Sequence, residues 1–107
     1  MQNISIDEFH ENYENLGQND LILYVRSPEE FGEGHLKNAR NIPHEEVGTI
    51  ADELKNYDNV YVHCKMGGRA KMAAQILENA GLNNIVCIGN GGMQRWAQQG
   101  WPMEGGN

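Results

Sequence analysis

The chain has 107 residues, of which 39% are hydrophobic and 21% charged, so it is long and apolar enough to fold as one domain. Its net charge of −7, from 8 Lys and Arg against 15 Asp and Glu, argues against nucleic-acid and anionic-membrane partners. No apolar run approaches the ~18 residues of a membrane span, the first residues lack the features of a secretory signal, and two Cys cannot form a disulfide framework. We therefore expect a cytoplasmic protein that meets any anionic substrate through a local basic patch.

Helix and strand signals alternate along the first half of the chain. Ser5 and Glu8 have the spacing of a capping box and predict a helix over residues 6–15. The apolar run 21–25 predicts a buried strand, and Ser27 followed by Pro28 predicts the start of a short second helix. A weaker strand over residues 39–42 and a helix over residues 45–54 follow.

The second half repeats the alternation more clearly. The β-rich run 59–64 predicts a strand, and residues 69–80 have the apolar spacing of a helix that stops at Gly81. A strand over residues 84–88 and a helix over residues 93–99 complete the pattern. Strands that alternate with helices predict an α/β fold, a parallel sheet with helices on both faces. We expect one domain over residues 1–107, with residues 104–107 as a loose tail.

The segment that carries chemistry lies between the strand 59–64 and the helix 69–80. Cys64 ends the strand, and Lys65, Met66, Gly67 and Gly68 separate it from Arg69, which opens the helix. The carboxyl ends of parallel strands form the functional edge of such a sheet. The two glycines let successive backbone N–H groups converge, and the helix N-terminus and the two cations add positive charge. Because all of these effects favour the thiolate, Cys64 is predicted to be a nucleophile.

The loop and its flanks resemble the rhodanese family of sulfurtransferases. The loop 64–70 is similar to the family pattern Cys-x-x-Gly-x-Arg-Ser/Ala. The family's opening signature is resembled by residues 25–31, 34–36 and 39–43. Its closing signature is resembled by residues 91–96 and 100–102. The three blocks follow the family's order and cover nearly the whole chain, from about residue 4 to residue 104. The resemblance implies a rhodanese-like fold with about five strands.

The resemblance also implies a reaction. Cys64 would attack the sulfane sulfur of an anionic donor such as thiosulfate, carry a persulfide, and pass the sulfur to cyanide, a thiol or a protein. The active-site loop would be Lys65, Met66, Gly67, Gly68 and Arg69, whose N–H groups stabilise the persulfide anion. Lys65 and Arg69 would attract the donor. No metal or organic cofactor is required, and a monomer or weak dimer is expected.

Several residues outside the loop also have an expected role or position. The chain departs from the family at Tyr24, where an Asp is usual, and this leaves the role of Arg26 open. Arg40 and Arg95 could line the rim of the site. His63 precedes Cys64 on a strand and therefore points to the opposite face, which indicates a structural role. Five carboxylates are expected on solvated helix faces, namely Glu29, Glu30, Glu33, Glu45 and Glu46.

Two alternatives stay open at this point. Cysteine phosphatases resemble Cys-x5-Arg, whereas four residues separate Cys64 from Arg69 here, so the tighter loop favours a single sulfur over a phosphate. A non-catalytic interaction module of the same fold commonly lacks the Cys that this chain retains. Cys87 lies inside an apolar run without a neighbouring cation in sequence and is expected to be buried and inert.

Overall fold

A computed structural model describes residues 1–105 and contains a five-stranded parallel sheet in the order β1-β5-β4-β2-β3. The strands are β1 (Gln2–Ser5), β2 (Asp20–Tyr24), β3 (Ala39–Asn41), β4 (Asn59–His63) and β5 (Ile85–Asn90). The helices are α1 (Ile6–Asn12), α2 (Pro28–Glu33), α3 (Ala51–Leu54), α4 (Gly68–Asn79) and α5 (Met93–Gln98). The predicted parallel α/β fold is confirmed.

Local sequence explains where the first two helices begin. Ser5 accepts a hydrogen bond from the Glu8 backbone N–H while the Glu8 carboxylate accepts one from the Ser5 N–H, which closes the predicted capping box. Ser27 and Glu30 repeat this arrangement at α2, where Pro28 takes the first helical position. The first helix is shorter than predicted, because α1 ends at Asn12 and a 3₁₀ turn covers Tyr13–Asn15.

Strand β1 was not predicted from the sequence. It is a four-residue edge strand that pairs in parallel with β5, with Asn3 opposite Cys87 and Ile4 opposite Ile88. Only Ile4 among its residues is strongly apolar, and the strand is exposed or half-buried throughout. A strand that is held by pairing more than by burial leaves no periodic apolar signal.

The prediction of one helix over residues 45–54 is wrong. A 3₁₀ helix covers His44–Ile50, and only Ala51–Leu54 is α-helical. Gly48 and the β-branched Val47 and Thr49 disfavour a continuous α-helix. The segment still covers the sheet, because it buries Val47 and Leu54 completely.

Each face of the sheet carries its own core. One face of the sheet is covered by α3, by α4 and by the 3₁₀ helix that directly precedes α3. The residues buried there include Leu23, Val62, Leu77 and Cys64. On the other face, α1 and α5 pack on the sheet. The fully or nearly fully buried residues there include Ile6, Phe9, Tyr24 and Trp96. The sheet therefore has helices on both faces, as alternation of strands and helices predicts.

The carboxyl-terminal segment is attached to the domain at Glu104. His35 and Glu104 form an antiparallel bridge in which each backbone N–H donates to the other's carbonyl, at 2.9 and 2.8 Å. The expectation of a loose tail is therefore wrong at Glu104, and Gly106 and Asn107 lie outside the described residues. None of the helices within residues 1–105 has the length and apolarity needed to cross a bilayer.

Candidate active site

Cys64 lies at the carboxyl edge of the sheet, directly after β4. Four residues separate it from Arg69, which is the second residue of α4. Strand β4 is the middle strand, between β5 and β2. The residue is 3% exposed and belongs to the core under α4. Its position combines burial of the side chain with proximity to a helix N-terminus.

The loop folds around the Cys64 sulfur. The backbone N–H of Gly67 donates to Sγ at 3.1 Å, and that of Ala70 donates at 3.4 Å. Gly67 makes this possible with a φ of +114°, in the left-handed region that favours glycine. Two converging N–H groups at the start of a 12-residue helix form a cradle for an anionic sulfur.

Two close backbone approaches fix the loop against β5 and α5. A Cβ at Gly67 would lie 2.3 Å from the Gly89 carbonyl oxygen, and a Cβ at Gly92 would lie 2.1 Å from the Cys64 carbonyl oxygen. The N–H groups of Met93 and Gln94 donate to the carbonyls of Cys64 and Lys65 at 2.9 and 3.1 Å. The close approach of Gly92 to the Cys64 backbone was not predicted, although the sequence contains a glycine pair directly before α5.

The carboxylate of Glu30 connects α2 to the loop. Its Oε1 accepts from the Arg69 guanidinium at 2.9 Å, and its Oε2 forms an ion pair with Arg26. The same Oε1 accepts from the Ser27 N–H and hydroxyl at 3.1 and 2.9 Å. The expectation that Glu30 lies on a solvated face is therefore wrong, because its side chain is only 21% exposed and serves two arginines.

The other loop side chains point toward solvent. Met66 is 64% exposed, and Lys65 is exposed and forms no ion pair with any residue in the described part of the chain. The structure thus brings the predicted loop residues together around Cys64. Arg69, in contrast, already has a carboxylate partner, so Lys65 is the unpaired cation of the loop.

A family model described as the rhodanese-like domain matches residues 5–99. The chain belongs to the rhodanese-like family. Thiosulfate sulfurtransferase 16, chloroplastic, from Arabidopsis thaliana is 34% identical over 94 residues, which cover 77% of this chain and 78% of that protein. Putative sulfur carrier protein YrkF from Bacillus subtilis is 35% identical over 75 residues, which cover 70% of this chain and 40% of that protein. A crystal structure of a rhodanese-like domain protein from Staphylococcus aureus matches with a TM-score of 0.80 and 28% identity, over 98% of both chains.

Tyr24 takes the place of the usual rhodanese Asp without leaving Arg26 unpaired. The Tyr24 side chain is 2% exposed, and burial raises its pKa, while a hydrogen bond from Arg26 opposes that rise. Arg26 keeps an ion pair with the Glu30 carboxylate. The substitution exchanges a charged partner for a neutral one and leaves the second carboxylate partner in place.

The remaining candidate residues have partners or lie in the core. Arg40 pairs with Glu53 at 3.0 Å, and Arg95 pairs with Asp7 at 3.2 Å. Cys87 is fully buried, and burial raises the pKa of its thiol although Lys71 acts in the opposite direction. No group of three or more metal-ligating side chains comes together among residues 1–105.

His63 has the geometry of a structural residue. It is completely buried, and its Nδ1–H donates to the Leu23 carbonyl at 3.2 Å, while its Nε2 has no partner among the described residues. Burial lowers the pKa of the imidazole from 6.5 to about 3. A neutral imidazole that cannot take up a proton at neutral pH fits the structural interpretation and not that of a base.

His63 predicts a loss of stability in acid. Below pH 6.5 this imidazole is protonated in the unfolded chain, whereas in the folded chain it stays neutral until the pH approaches 3. The free energy of unfolding therefore falls as the pH falls across that window. We expect urea unfolding to show a loss of about 2 kcal/mol between pH 7 and pH 5 from this group. The variant His63→Phe should lose that part of the pH dependence. An unchanged slope in the variant would contradict the assignment.

Proposed function

We propose that the protein is a sulfurtransferase that moves a sulfane sulfur from an anionic donor, such as thiosulfate, to a thiophilic acceptor through a persulfide on Cys64. The observation that carries the proposal is the pair of N–H donors from Gly67 and Ala70 that converge on Sγ at 3.1 and 3.4 Å. Membership of the rhodanese-like family supports it. Both cysteines are free, which fits a reducing compartment such as the cytoplasm.

In the first half-reaction, the Cys64 thiolate attacks the outer sulfur of thiosulfate. A new S–S bond forms on Sγ, the old S–S bond breaks, and sulfite leaves with the electron pair. Lys65, the unpaired cation of the loop, attracts the doubly charged donor despite the net charge of −7. The loop N–H groups stabilise the negative charge that remains on the persulfide.

In the second half-reaction, cyanide, a thiol or a protein acceptor attacks the sulfane sulfur and regenerates the Cys64 thiolate. Arg26 and Arg69 contribute through Glu30, which holds α2 and the loop in one arrangement. Met66 and Gly68 have no contact with Sγ in the hydrogen-bond pattern, and we assign them to the wall of the loop.

A steady-state assay tests this function against phosphate chemistry. With thiosulfate and cyanide we expect catalytic formation of thiocyanate and sulfite, and with an aryl phosphate we expect no turnover, because the four-residue loop surrounds one sulfur atom. Hydrolysis of the phosphate ester without thiocyanate formation would replace the proposal with a phosphatase. Inactivity with both substrates would favour a binding module.

A further inference from the structure

The outward face of α4 carries apolar side chains that the sheet does not bury. The inward face of this helix is fully buried, and it consists of Ala70, Ala73, Ala74 and Leu77. On the outward face, Met72 is 49% exposed and Ile76 is 40% exposed. A helix that only has to cover a sheet needs polar residues at such positions. The outward face therefore has apolar surface for which packing within the domain gives no reason.

The exposed side chains of α4 form two neighbouring stripes. Lys71, Gln75 and Glu78 follow one another at intervals of four and three residues, so they lie in one polar stripe along the helix. Met72 and Ile76 are four residues apart and form an apolar stripe directly beside it. Each stripe extends to both sides of the middle of the helix.

The two charges of the polar stripe have opposite signs and lie at opposite ends. Lys71 forms no ion pair with any of residues 1–105, and Glu78 pairs with the amino group of Met1 at 3.3 Å. Seven residues of helix separate Lys71 from Glu78, which is about 10 Å and too far for an ion pair within α4. A helix that packs antiparallel on this stripe needs the same two charges in the reverse order. The stripe is therefore complementary in charge to a second copy of itself.

We propose that this face is an interface between two copies of the chain, in which α4 packs antiparallel on α4 of the second copy about a twofold axis near Gln75. In a twofold interface every contact between two different residues occurs twice, so each stripe meets itself. Lys71 then faces Glu78 of the second copy, and Met72 faces Ile76 of the second copy. Gln75 faces its own counterpart across the axis.

The size of this face sets the strength of the contact. One side of a 12-residue helix buries less than the ~800 Å² per partner that is usual for a stable dimer, so we expect a weak dimer with a Kd of roughly 0.1–1 mM. The active-site loop directly precedes α4, so the loop of each copy lies beside the carboxyl-terminal end of α4 in the other copy. The contact goes beyond the proposed function and does not depend on it, because no residue of the interface takes part in sulfur transfer.

Charge exchange at the two ends of the polar stripe tests the arrangement. Lys71→Glu places two carboxylates against each other at both ends of the interface, and the double variant Lys71→Glu/Glu78→Lys restores opposite charges there. Lys37→Glu is the matched control, because it makes the same change of net charge at an exposed lysine outside α4. Sedimentation equilibrium up to about 1 mM protein gives the Kd of each variant. Thermal unfolding shows that each variant is folded.

We expect Lys71→Glu to weaken self-association at least about fivefold, since two exposed ion pairs become two like-charge contacts. The double variant and Lys37→Glu should both lie within about twofold of the parent Kd. A parent protein that stays monomeric at about 1 mM would overturn a second copy as the occupant of this face. Equal weakening by Lys71→Glu and Lys37→Glu would also overturn it. These measurements need no sulfur donor, so their failure would leave the proposed function standing.

A cross-link tests the position of the axis without any change of charge. Gln75→Cys places a thiol beside the axis, and mild oxidation of this variant should join two chains through an intermolecular disulfide. Gln98→Cys is the control, because it places a thiol at an exposed position of α5. If Gln75→Cys forms dimers no faster than Gln98→Cys at the same protein concentration, the proposed antiparallel contact is wrong.

Discussion

Replacing Cys64 with Ser is expected to abolish sulfur transfer from thiosulfate to cyanide, a loss of at least about a thousandfold, because a hydroxyl is not ionised at neutral pH and cannot replace the thiolate. Cys87→Ala is expected to keep the activity. The difference follows from placement: only Cys64 accepts N–H groups from the loop, whereas Cys87 is fully buried and burial raises the pKa of its thiol.

The two cysteine variants control for each other. Ala is chosen at position 87 because a Ser hydroxyl would be placed in an apolar core. Thermal unfolding of both variants checks that any loss of activity does not reflect unfolding. If Cys87→Ala abolishes turnover in a folded protein while Cys64→Ser retains it, the assignment of the nucleophile to Cys64 is wrong.

Gly67→Ala is expected to reduce sulfur transfer at least about a hundredfold, comparable with the loss of one hydrogen-bond donor to a developing anion. The residue has a φ of +114°, which strains an L side chain, and the new Cβ would lie 2.3 Å from the Gly89 carbonyl oxygen. Relief of that overlap must move the loop away from β5. The Gly67 N–H would then leave its position 3.1 Å from Sγ.

Gly68→Ala is the matched control, one residue farther along the same loop. A Cβ at Gly68 meets nothing within 4 Å, and its N–H does not donate to Sγ. We expect a much smaller effect on kcat/KM and a similar melting temperature, because Gly68 is the first residue of α4, where exchange of Gly for the better helix former Ala does not disturb the helix. Equal losses in the two variants would show that the geometry at Gly67 is not what supports the reaction.

The parts of the fold that were predictable from the sequence are those in which local signals and burial agree. The runs that became β2, β4 and β5 are apolar and buried, and the Ser27 capping box and Pro28 define the start of α2. The elements that were missed or predicted incorrectly lack such agreement between local signal and burial. β1 is held at the sheet edge by β5, and the segment before α3 winds as a 3₁₀ helix because Gly48 and its β-branched neighbours disfavour an α-helix.

The candidate site shows the same division. Cys64 and its glycine loop are consecutive in the chain, so their spacing could be read directly from the sequence. The contact of Glu30 with Arg69 joins residues 39 positions apart, and a carboxylate at the start of a helix has the same local pattern whether it is solvated or paired.

The most direct measurement of the central claim is the mass of the intact protein after incubation with thiosulfate and removal of the excess donor. One sulfur atom, about 32 Da, should be added per chain, and peptide mapping after alkylation should locate it on Cys64. Addition of cyanide should return the protein to its original mass. An unchanged mass, or a sulfur atom located on Cys87, would contradict a Cys64 persulfide as the carrier of the transferred sulfur.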